Sequence, residues 1–238
     1  MLHEISFKSF NERDEVQGWV YVPACEPKGI IQLIHGFGEH SRRYFHMIVA
    51  FMDAGFIVAA DDHVGHGKTA IVNNTWGDWG HKGAHTMMED EHILTGIVKE
   101  TYPNLPYFMF GHSMGSFIAR DYIAKYGDEL AADPFDAFTK PTNNRSMLFF
   151  CEMMDCIQGT EWAGKVPKEL PIYNIAGDLD PVGNWGEGVY QTTNWLAETG
   201  HNVKTKLYSG YRHEIHNYDE IKAEVEAGIV GFFKDCLK

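Results

Sequence analysis

The sequence predicts an α/β protein in which a mostly parallel central sheet is covered by helices on both faces. Short apolar runs, typical of strands buried on both sides, alternate along the chain with longer segments that have helical spacing. Glycine and proline separate many of these segments. Successive strand–helix–strand units form right-handed crossovers, and such crossovers build a parallel sheet.

Each predicted element has a local signal in the sequence. We expect strands at residues 17–22, 29–35, 56–60, 107–111, 172–175 and 203–208. We expect helices at residues 44–54, 87–102, 114–126, 189–199 and 221–237. Pro23, Pro27 and Gly29 interrupt the chain between the first two strands, which are therefore predicted to form an amino-terminal hairpin that enters the sheet.

The composition is that of one globular domain covering residues 1–238, with 44% apolar and 22% charged residues. Acidic residues outnumber basic ones by 33 to 20, which gives a net charge of −13 when histidine is neutral. This charge opposes binding to nucleic acid or to an anionic lipid surface. We therefore expect no nucleic-acid partner, and the small-molecule substrate that we expect is inferred from the motifs below; the sequence leaves the oligomeric state open.

The cysteines and the hydropathy of the chain bear on its compartment. Cys25, Cys151, Cys156 and Cys236 show no C-x-x-C spacing, so we expect unpaired thiols in a reducing compartment, the cytoplasm. Residues 1–10 lack the continuous apolar core of a signal peptide, and no later apolar run reaches membrane-spanning length. We expect no stable membrane insertion, while transient contact with a lipid surface is compatible with this sequence.

A nucleophile is indicated by the stretch 111–115, GHSMG, which fits the pattern G-x-S-x-G between a predicted strand and a predicted helix. In that context the serine lies on a tight, strained turn, and small flanking residues let strand and helix approach each other. The chance occurrence of this pattern in a chain with 24 glycines is the alternative, and the strand and helix around it argue against it. We predict that Ser113 is a nucleophile.

A serine nucleophile needs a base and an acid that orients the base. His213 follows the strand at residues 203–208 and is the predicted base, with the nearby His216 as the alternative. Asp178 and Asp180 both follow the strand at residues 172–175, and spacing alone leaves the choice between them open.

Stabilisation of a negatively charged oxygen requires two backbone N–H groups that are fixed before the reaction. The residue after the nucleophile, Met114, supplies the first. The loop after the strand at residues 29–35 is the candidate for the second, through the N–H of Phe37; an ordinary glycine turn is the alternative interpretation of that loop.

Several separate stretches, in order along the chain, resemble the monoglyceride lipases and bacterial lysophospholipases of the α/β-hydrolase superfamily. They are HGFGEHS at 35–41, Arg43-Tyr44, DHVGHG at 62–67, Tyr102-Pro103, GHSMG at 111–115 and YSGYRH at 208–213. The resemblance implies an α/β-hydrolase fold with a helical cap and a fatty acyl ester as substrate.

By the same resemblance, the acid is Asp180, the base is His213, and Phe37 and Met114 form the oxyanion hole. The resemblance implies no cofactor and no metal. A metal site built from His63, His66 and His81 is the minority alternative, because no carboxylate–histidine pattern accompanies these residues.

One departure from the family concerns the region between Ser113 and Asp180. The family has a buried strand there, followed by the cap, and residues 126–134 leave room for neither. Loss of that strand would leave its two neighbours about 10 Å apart, which breaks the sheet. We therefore predict that residues 131–160 are the remnant of a cap and that a segment is missing from the sequence near residues 130–133.

The returning part of this cap is rich in large apolar residues that could line an acyl tunnel. Phe149, Phe150 and Met153 are the predicted substrate-contacting residues among a set that also includes Phe135, Phe138, Met147, Leu148 and Met154. Ordinary core packing explains the same residues equally well.

These observations predict a serine ester hydrolase that forms an acyl-enzyme on Ser113. A short-chain carboxylesterase, a thioesterase or an amidase would share all of these motifs. A catalytically silent lipid-binding protein on the same fold is the alternative from another functional class.

Overall fold

The computed structural model describes residues 1–130 and 144–238, which contain seven strands and eight α-helices. The strands are β1 (Leu2–Lys8), β2 (Glu15–Tyr21), β3 (Gly29–Ile34), β4 (Phe56–Asp62), β5 (Tyr107–Gly111), β6 (Ile172–Gly177) and β7 (Val203–Tyr208). The helices are α1 (Phe45–Asp53), α2 (Gly67–Asn73), α3 (Thr86–Thr101), α4 (Met114–Tyr126), α5 (Asn144–Cys156), α6 (Gly159–Ala163), α7 (Glu187–Glu198) and α8 (Lys222–Cys236).

The strands form a five-stranded sheet in the order β1-β2-β4-β3-β5 and a two-stranded sheet of β6 and β7. Strand β3 is parallel to both β4 and β5, and β6 is parallel to β7, whereas β2 is antiparallel to β1 and to β4. The predicted hairpin between residues 17–22 and 29–35 is therefore wrong. Strand β3 is buried along its whole length and takes a central position, so β2 pairs with β1 instead, a strand whose largely exposed residues gave no clear pattern.

Alternation along the central strands divides the interior into two cores, one on each face of the sheet. Ile31 and Leu33 of β3 face the first core, which α1 and α8 cover, and Ile30 and Ile34 face the second, which α3 and α4 cover. Strands buried on both faces need helices on both sides. The predicted α/β class with a mostly parallel, two-sided sheet is confirmed.

The two sheets are joined by side chains. The first core contains Phe108 and Phe110 of β5 together with Tyr173 and Ile175 of β6, and helix α8 packs across all of them. A continuous apolar core thus replaces the hydrogen bonds that a single sheet would have at this seam.

Within the described residues, β5 pairs with β3 alone and β6 pairs with β7 alone, and no strand lies between them. The break in the sheet is the one that loss of the intervening strand would produce. Most of the predicted junction near 130–133 falls outside the described residues, as do Phe135 and Phe138, so the missing segment stays a prediction.

All four cysteines are free, in agreement with the expected unpaired thiols. In residues 1–130 and 144–238, no helix combines the length and the apolarity that a membrane crossing requires.

Replacement of Phe233 on α8 tests the packing of the first core. The ring of this residue contacts Phe51, Phe56 and Phe108 at centroid distances of 6.0, 6.1 and 5.1 Å. We expect Phe233→Ala to lower the free energy of unfolding in urea by about 3–5 kcal/mol, because the cavity remains after the ring is removed. Ile71→Ala, at a side chain that is 65% exposed, is the control and should change it by less than about 0.5 kcal/mol. Equal effects of the two substitutions would contradict the assigned core.

Candidate active site

Ser113 occupies the turn between β5 and α4 and has a left-handed backbone, with φ of 59° and ψ of −126°. A serine that precedes a helix normally caps it with its hydroxyl from an extended backbone. Here the side chain makes no capping hydrogen bond. The backbone conformation thus holds the hydroxyl away from the role that serine usually has at this position, at an energetic cost typical of functional sites.

The glycines on either side of Ser113 are required by close backbone approaches. A Cβ atom on Gly111 would overlap the carbonyl group of Gly115, and one on Gly115 would overlap the carbonyl group of Ile34. Helix α4 can therefore begin directly against β3 and β5. The amide of Met114 is the first in this helix, and the first amides of a helix have no intrahelical acceptor.

Asp180 and His213 meet at the carboxyl ends of β6 and β7. His213 Nδ1 lies 2.8 Å from Asp180 Oδ2, and Asp180 is almost completely buried. The amide of Val182 donates to the other carboxylate oxygen at 2.9 Å and fixes its orientation. Gly177 permits this arrangement, because a Cβ atom there would overlap the carbonyl group of Tyr211 in the loop that carries His213.

The alternative acid and base are engaged elsewhere. Asp178 Oδ1 accepts a hydrogen bond from the amide of Gly210 at 2.7 Å, so Asp178 stabilises the turn before His213. His216 is buried and packs against Tyr44 and His112, with ring centroids 5.2 and 4.3 Å away. Burial lowers the pKa of His216 well below its usual value, which keeps the ring neutral.

Ser113 follows a strand of one sheet and His213 follows a strand of the other, so the seam runs between them, yet the two residues are close in space. The ring of His112, next to Ser113, is 5.9 Å from the ring of His213 between centroids. Ser113 Oγ is buried and makes no hydrogen bond to any described residue. Catalytic hydrogen bonds are often absent before the substrate binds and form in the complex.

Phe37 lies on the loop after β3, and this loop is held by Glu39, a residue that the sequence analysis did not single out. The amide of Gly36 donates to Glu39 Oε1 at 2.7 Å. The hydroxyl of Tyr44 bonds both to Glu39 and to Nδ1 of His112. One buried carboxylate thus connects the loop of Phe37 to the turn that carries Ser113, a connection between separate segments that has no sequence signal.

The predicted substrate-contacting residues lie on α5, close to Phe37. Phe150 and Met153 are buried in the second core, and the ring of Phe150 is 5.9 Å from that of Phe37 between centroids. Phe149 is half-buried and packs against the same core. Phe150 and Met153 therefore form part of the packing around the Phe37 loop.

An open groove of about 430 Å³ lies beside His213. Its walls combine apolar and polar side chains, namely Pro181, Val182, Arg212, Glu214, Asn217 and Tyr218. This volume is within the range of small-molecule sites.

The alternative metal set of His63, His66 and His81 does not form one cluster. His81 is exposed, and His66 Nδ1 bonds to the carbonyl of Val64 at 2.9 Å. The cluster of metal-ligating residue types found in the described ranges consists instead of Asp61, His63 and Glu91, all buried.

Comparison with known proteins identifies relatives over parts and over the whole of the chain. The family described as "Serine aminopeptidase, S33" matches residues 25–133. The monoacylglycerol lipase of Mycolicibacterium smegmatis is 37% identical over 118 residues, which are 48% of this chain and 39% of that protein. Human monoglyceride lipase is 37% identical over 97 residues, 41% of this chain and 30% of that enzyme. The matched region thus spans less than half the length of these curated relatives.

A solved structure matches over its full length. The thermostable carboxyl esterase from Bacillus coagulans, crystallised in complex with glycerol, has a TM-score of 0.95 and 48% sequence identity. The similarity covers 100% of this chain and 99% of that chain. A second solved structure, described as a lipase in an open form, has a TM-score of 0.94 and 31% identity, with full coverage of both chains.

Asp180→Asn and Asp178→Asn distinguish the two carboxylates. We expect Asp180→Asn to lower kcat for a soluble ester by about ten-thousand-fold, because an amide does not hold the histidine in the required tautomer. Asp178→Asn should leave kcat within about threefold, because that side chain faces the turn and not the ring. Steady-state kinetics with p-nitrophenyl butyrate measures both, and the reverse ranking would show that Asp178 is the acid.

Proposed function

The chain belongs to the α/β-hydrolase family of esterases and lipases, and on that premise we propose that it hydrolyses fatty acyl esters through a covalent acyl-enzyme on Ser113. The observation that supports this most is the left-handed turn at Ser113, next to a buried hydrogen-bonded pair of Asp180 and His213. This mechanism requires a serine on a strained turn between a strand and a helix, and a histidine that a carboxylate orients.

In the proposed reaction, His213 Nε2 takes the proton of Ser113 as Oγ attacks the ester carbonyl carbon. Asp180 holds Nδ1 of the ring and stabilises the imidazolium that forms. The imidazolium then donates its proton to the departing alcohol. Water repeats the sequence on the acyl-enzyme, which releases the carboxylic acid and restores Ser113, so no metal or organic cofactor is needed.

The amides of Phe37 and Met114 are the proposed donors to the oxyanion. Both side chains are anchored in the second core, so their backbone positions are fixed before the reaction. Preorganised donors of this kind are worth about 3 kcal/mol of barrier each.

A lipid-like ester is the proposed substrate class, such as a monoacylglycerol or a lysophospholipid. The curated relatives named above are monoacylglycerol lipases, and the full-length structural relative is a carboxyl esterase. Met147 and Leu148 expose apolar side chains on α5, the helix whose Phe150 ring lies 5.9 Å from that of Phe37, which favours a hydrocarbon chain over a charged substrate. The free thiols favour the cytoplasm as the compartment.

Hydrolysis of p-nitrophenyl esters with acyl chains of two to sixteen carbons tests the proposal. We expect turnover to peak at medium or long chains and to fall to background in Ser113→Ala, because the nucleophile is lost. A peak at two carbons would assign a short-chain carboxylesterase. Absence of Ser113-dependent turnover, together with failure of a fluorophosphonate to label Ser113, would favour a binding protein.

Matched oxygen ester, thioester and amide substrates of one acyl chain separate the remaining chemistries. We expect the oxygen ester to have the highest kcat/KM. A higher value for the thioester or the amide would reassign the enzyme to that class.

Phe37→Pro tests the oxyanion loop, because proline has no N–H group. We expect kcat to fall by about a hundredfold or more while KM changes little, since the lost hydrogen bond strengthens in the transition state. Phe37→Leu, which keeps the amide and an apolar side chain, is the control. A loss of equal size in both variants would assign the effect to the ring and not to the amide.

A further inference from the structure

The loop that carries Phe37 has a second anchor in addition to Glu39. Strands β3 and β4 are parallel neighbours, so the loops at their carboxyl ends lie side by side. The backbone amide of His63 donates to His35 Nε2 at 3.0 Å, and His63 Nε2 lies 3.1 Å from the carbonyl oxygen of His35. The two imidazole rings stack with centroids 3.8 Å apart. His35 is two residues before Phe37.

These contacts define where the protons are. His35 Nε2 accepts a hydrogen bond, so the proton of this ring is on Nδ1, which donates to the carbonyl of Gly36 at 2.7 Å. Burial lowers the pKa of His35 well below its usual value, in agreement with a neutral ring. His63 Nε2 faces a carbonyl oxygen, which only accepts, so Nε2 carries a proton.

The other nitrogen of His63 faces two carboxyl groups. Nδ1 lies 3.1 Å from Asp61 Oδ1 and 3.3 Å from Glu91 Oε1, and none of these three side chains has exposed surface. Burial alone would lower the pKa of His63, but the Asp61 carboxylate raises it above its usual value. Burial, reinforced by Asp61, raises the pKa of Glu91 well above its usual value. His63 Nδ1 thus lies between two buried carboxyl groups, and the raised pKa values of His63 and Glu91 are those expected when such groups share a site without water.

A buried cluster of three ionisable side chains is energetically costly to place in this part of the interior. Removing two charges from water costs several kcal/mol for each ion, and apolar side chains of similar volume usually give equal or greater stability. The surrounding second core is apolar, with Ile57, Ala59 and Leu94 among its members. Gln32 extends the polar contacts by donating to Glu91 Oε2. Buried polar groups that break the local pattern are expected at functional sites.

We propose that Asp61, His63 and Glu91 form a positioning cluster that fixes the amide of Phe37 for oxyanion stabilisation, through the hydrogen bond from His63 to the His35 carbonyl. This proposal rests on the proposed function, because it assigns a role in the same oxyanion hole. Asp61 and Glu91 orient the His63 ring, and the ring holds the loop through its contact with the carbonyl oxygen of His35. None of the three touches the substrate, so they are positioning residues.

Two substitutions of His63 separate this role from simple charge balance. The amide nitrogen of glutamine occupies the place of histidine Nε2, so His63→Gln keeps the donor to His35. The amide of asparagine occupies the place of Nδ1, so His63→Asn keeps the contact with the carboxyl groups and loses the donor to His35. We expect His63→Asn to lower kcat for p-nitrophenyl butyrate by about ten- to a hundredfold with KM within about threefold, and His63→Gln to retain most of the activity.

Two further measurements accompany the kinetics. The affinity for a trifluoromethyl ketone, which forms an oxyanion when Ser113 adds to it, should fall by the same factor as kcat in His63→Asn. Asp90→Asn is the control, because Asp90 is next to Glu91 on α3 and its carboxylate is also buried. That carboxylate accepts hydrogen bonds from the hydroxyl of Ser9 and the amide of Phe10. We expect Asp90→Asn to lower the midpoint of urea unfolding without changing kcat.

The outcomes are separable. Equal activities of the Gln and Asn variants, or a loss of stability in His63→Asn with kcat unchanged, would overturn the positioning role. A divalent metal bound stoichiometrically in the purified protein, measured by elemental analysis, would overturn it in favour of a metal site at the same three residues. Absence of Ser113-dependent turnover in the wild-type protein would instead overturn the proposed function itself.

Discussion

The candidate site depends on one steric constraint, the close approach of helix α4 to strand β3. Gly115 lies so close to the carbonyl of Ile34 that no Cβ atom fits there. That approach forces the chain to reverse within a few residues after β5, and the reversal puts Ser113 into a left-handed backbone. The buried first turn of the helix then places the Met114 amide next to Ser113 in the chain. A single substitution at Gly115 would therefore disturb the proposed nucleophile and a proposed oxyanion donor together.

The loop of Phe37 is held by two polar anchors, a carboxylate and a pair of histidines. Glu39 bonds to the loop through the amide of Gly36 and reaches the turn that carries Ser113 through Tyr44 and His112. His63 bonds to the same loop through His35. A loop without regular secondary structure needs such anchors, because its amides otherwise have no fixed direction.

Most of the fold was predictable from the sequence because the central strands are buried on both faces. The bounds of β5, α4 and β7 were predicted as observed, and other element ends differ by a few residues, as fraying ends usually do. The partners of β2 were not predictable, because its pairing with β1 and β4 depends on a long-range choice that local turn residues do not encode. The helices α2 and α6 are short and carry little periodic signal.

The proposed catalytic residues could be predicted where a residue follows a strong strand, as Ser113 and His213 do, whereas Asp180 was chosen by the resemblance to the family. The residues around them were not, since the contact of Glu39 with the Phe37 loop and the meeting of Asp61 with Glu91 arise only when separate loops and α3 pack on the sheet. Spacing also left Asp178 and Asp180 equivalent, and the difference between them is the direction of the backbone after β6. Asp178 turns towards Gly210, and Asp180 turns towards His213.

The division of the sheet has a mechanical consequence. Ser113 and both proposed oxyanion amides follow strands of the five-stranded sheet, whereas Asp180 and His213 follow the strands of the two-stranded sheet. Sliding or tilting of one sheet against the other would change the path of the proton from Ser113 to His213. It would leave intact the arrangement of Ser113 with the two amides and the contact of Asp180 with His213. At the seam between β5 and β6, the geometry of the proposed proton transfer therefore depends on the packing of apolar side chains and not on strand pairing.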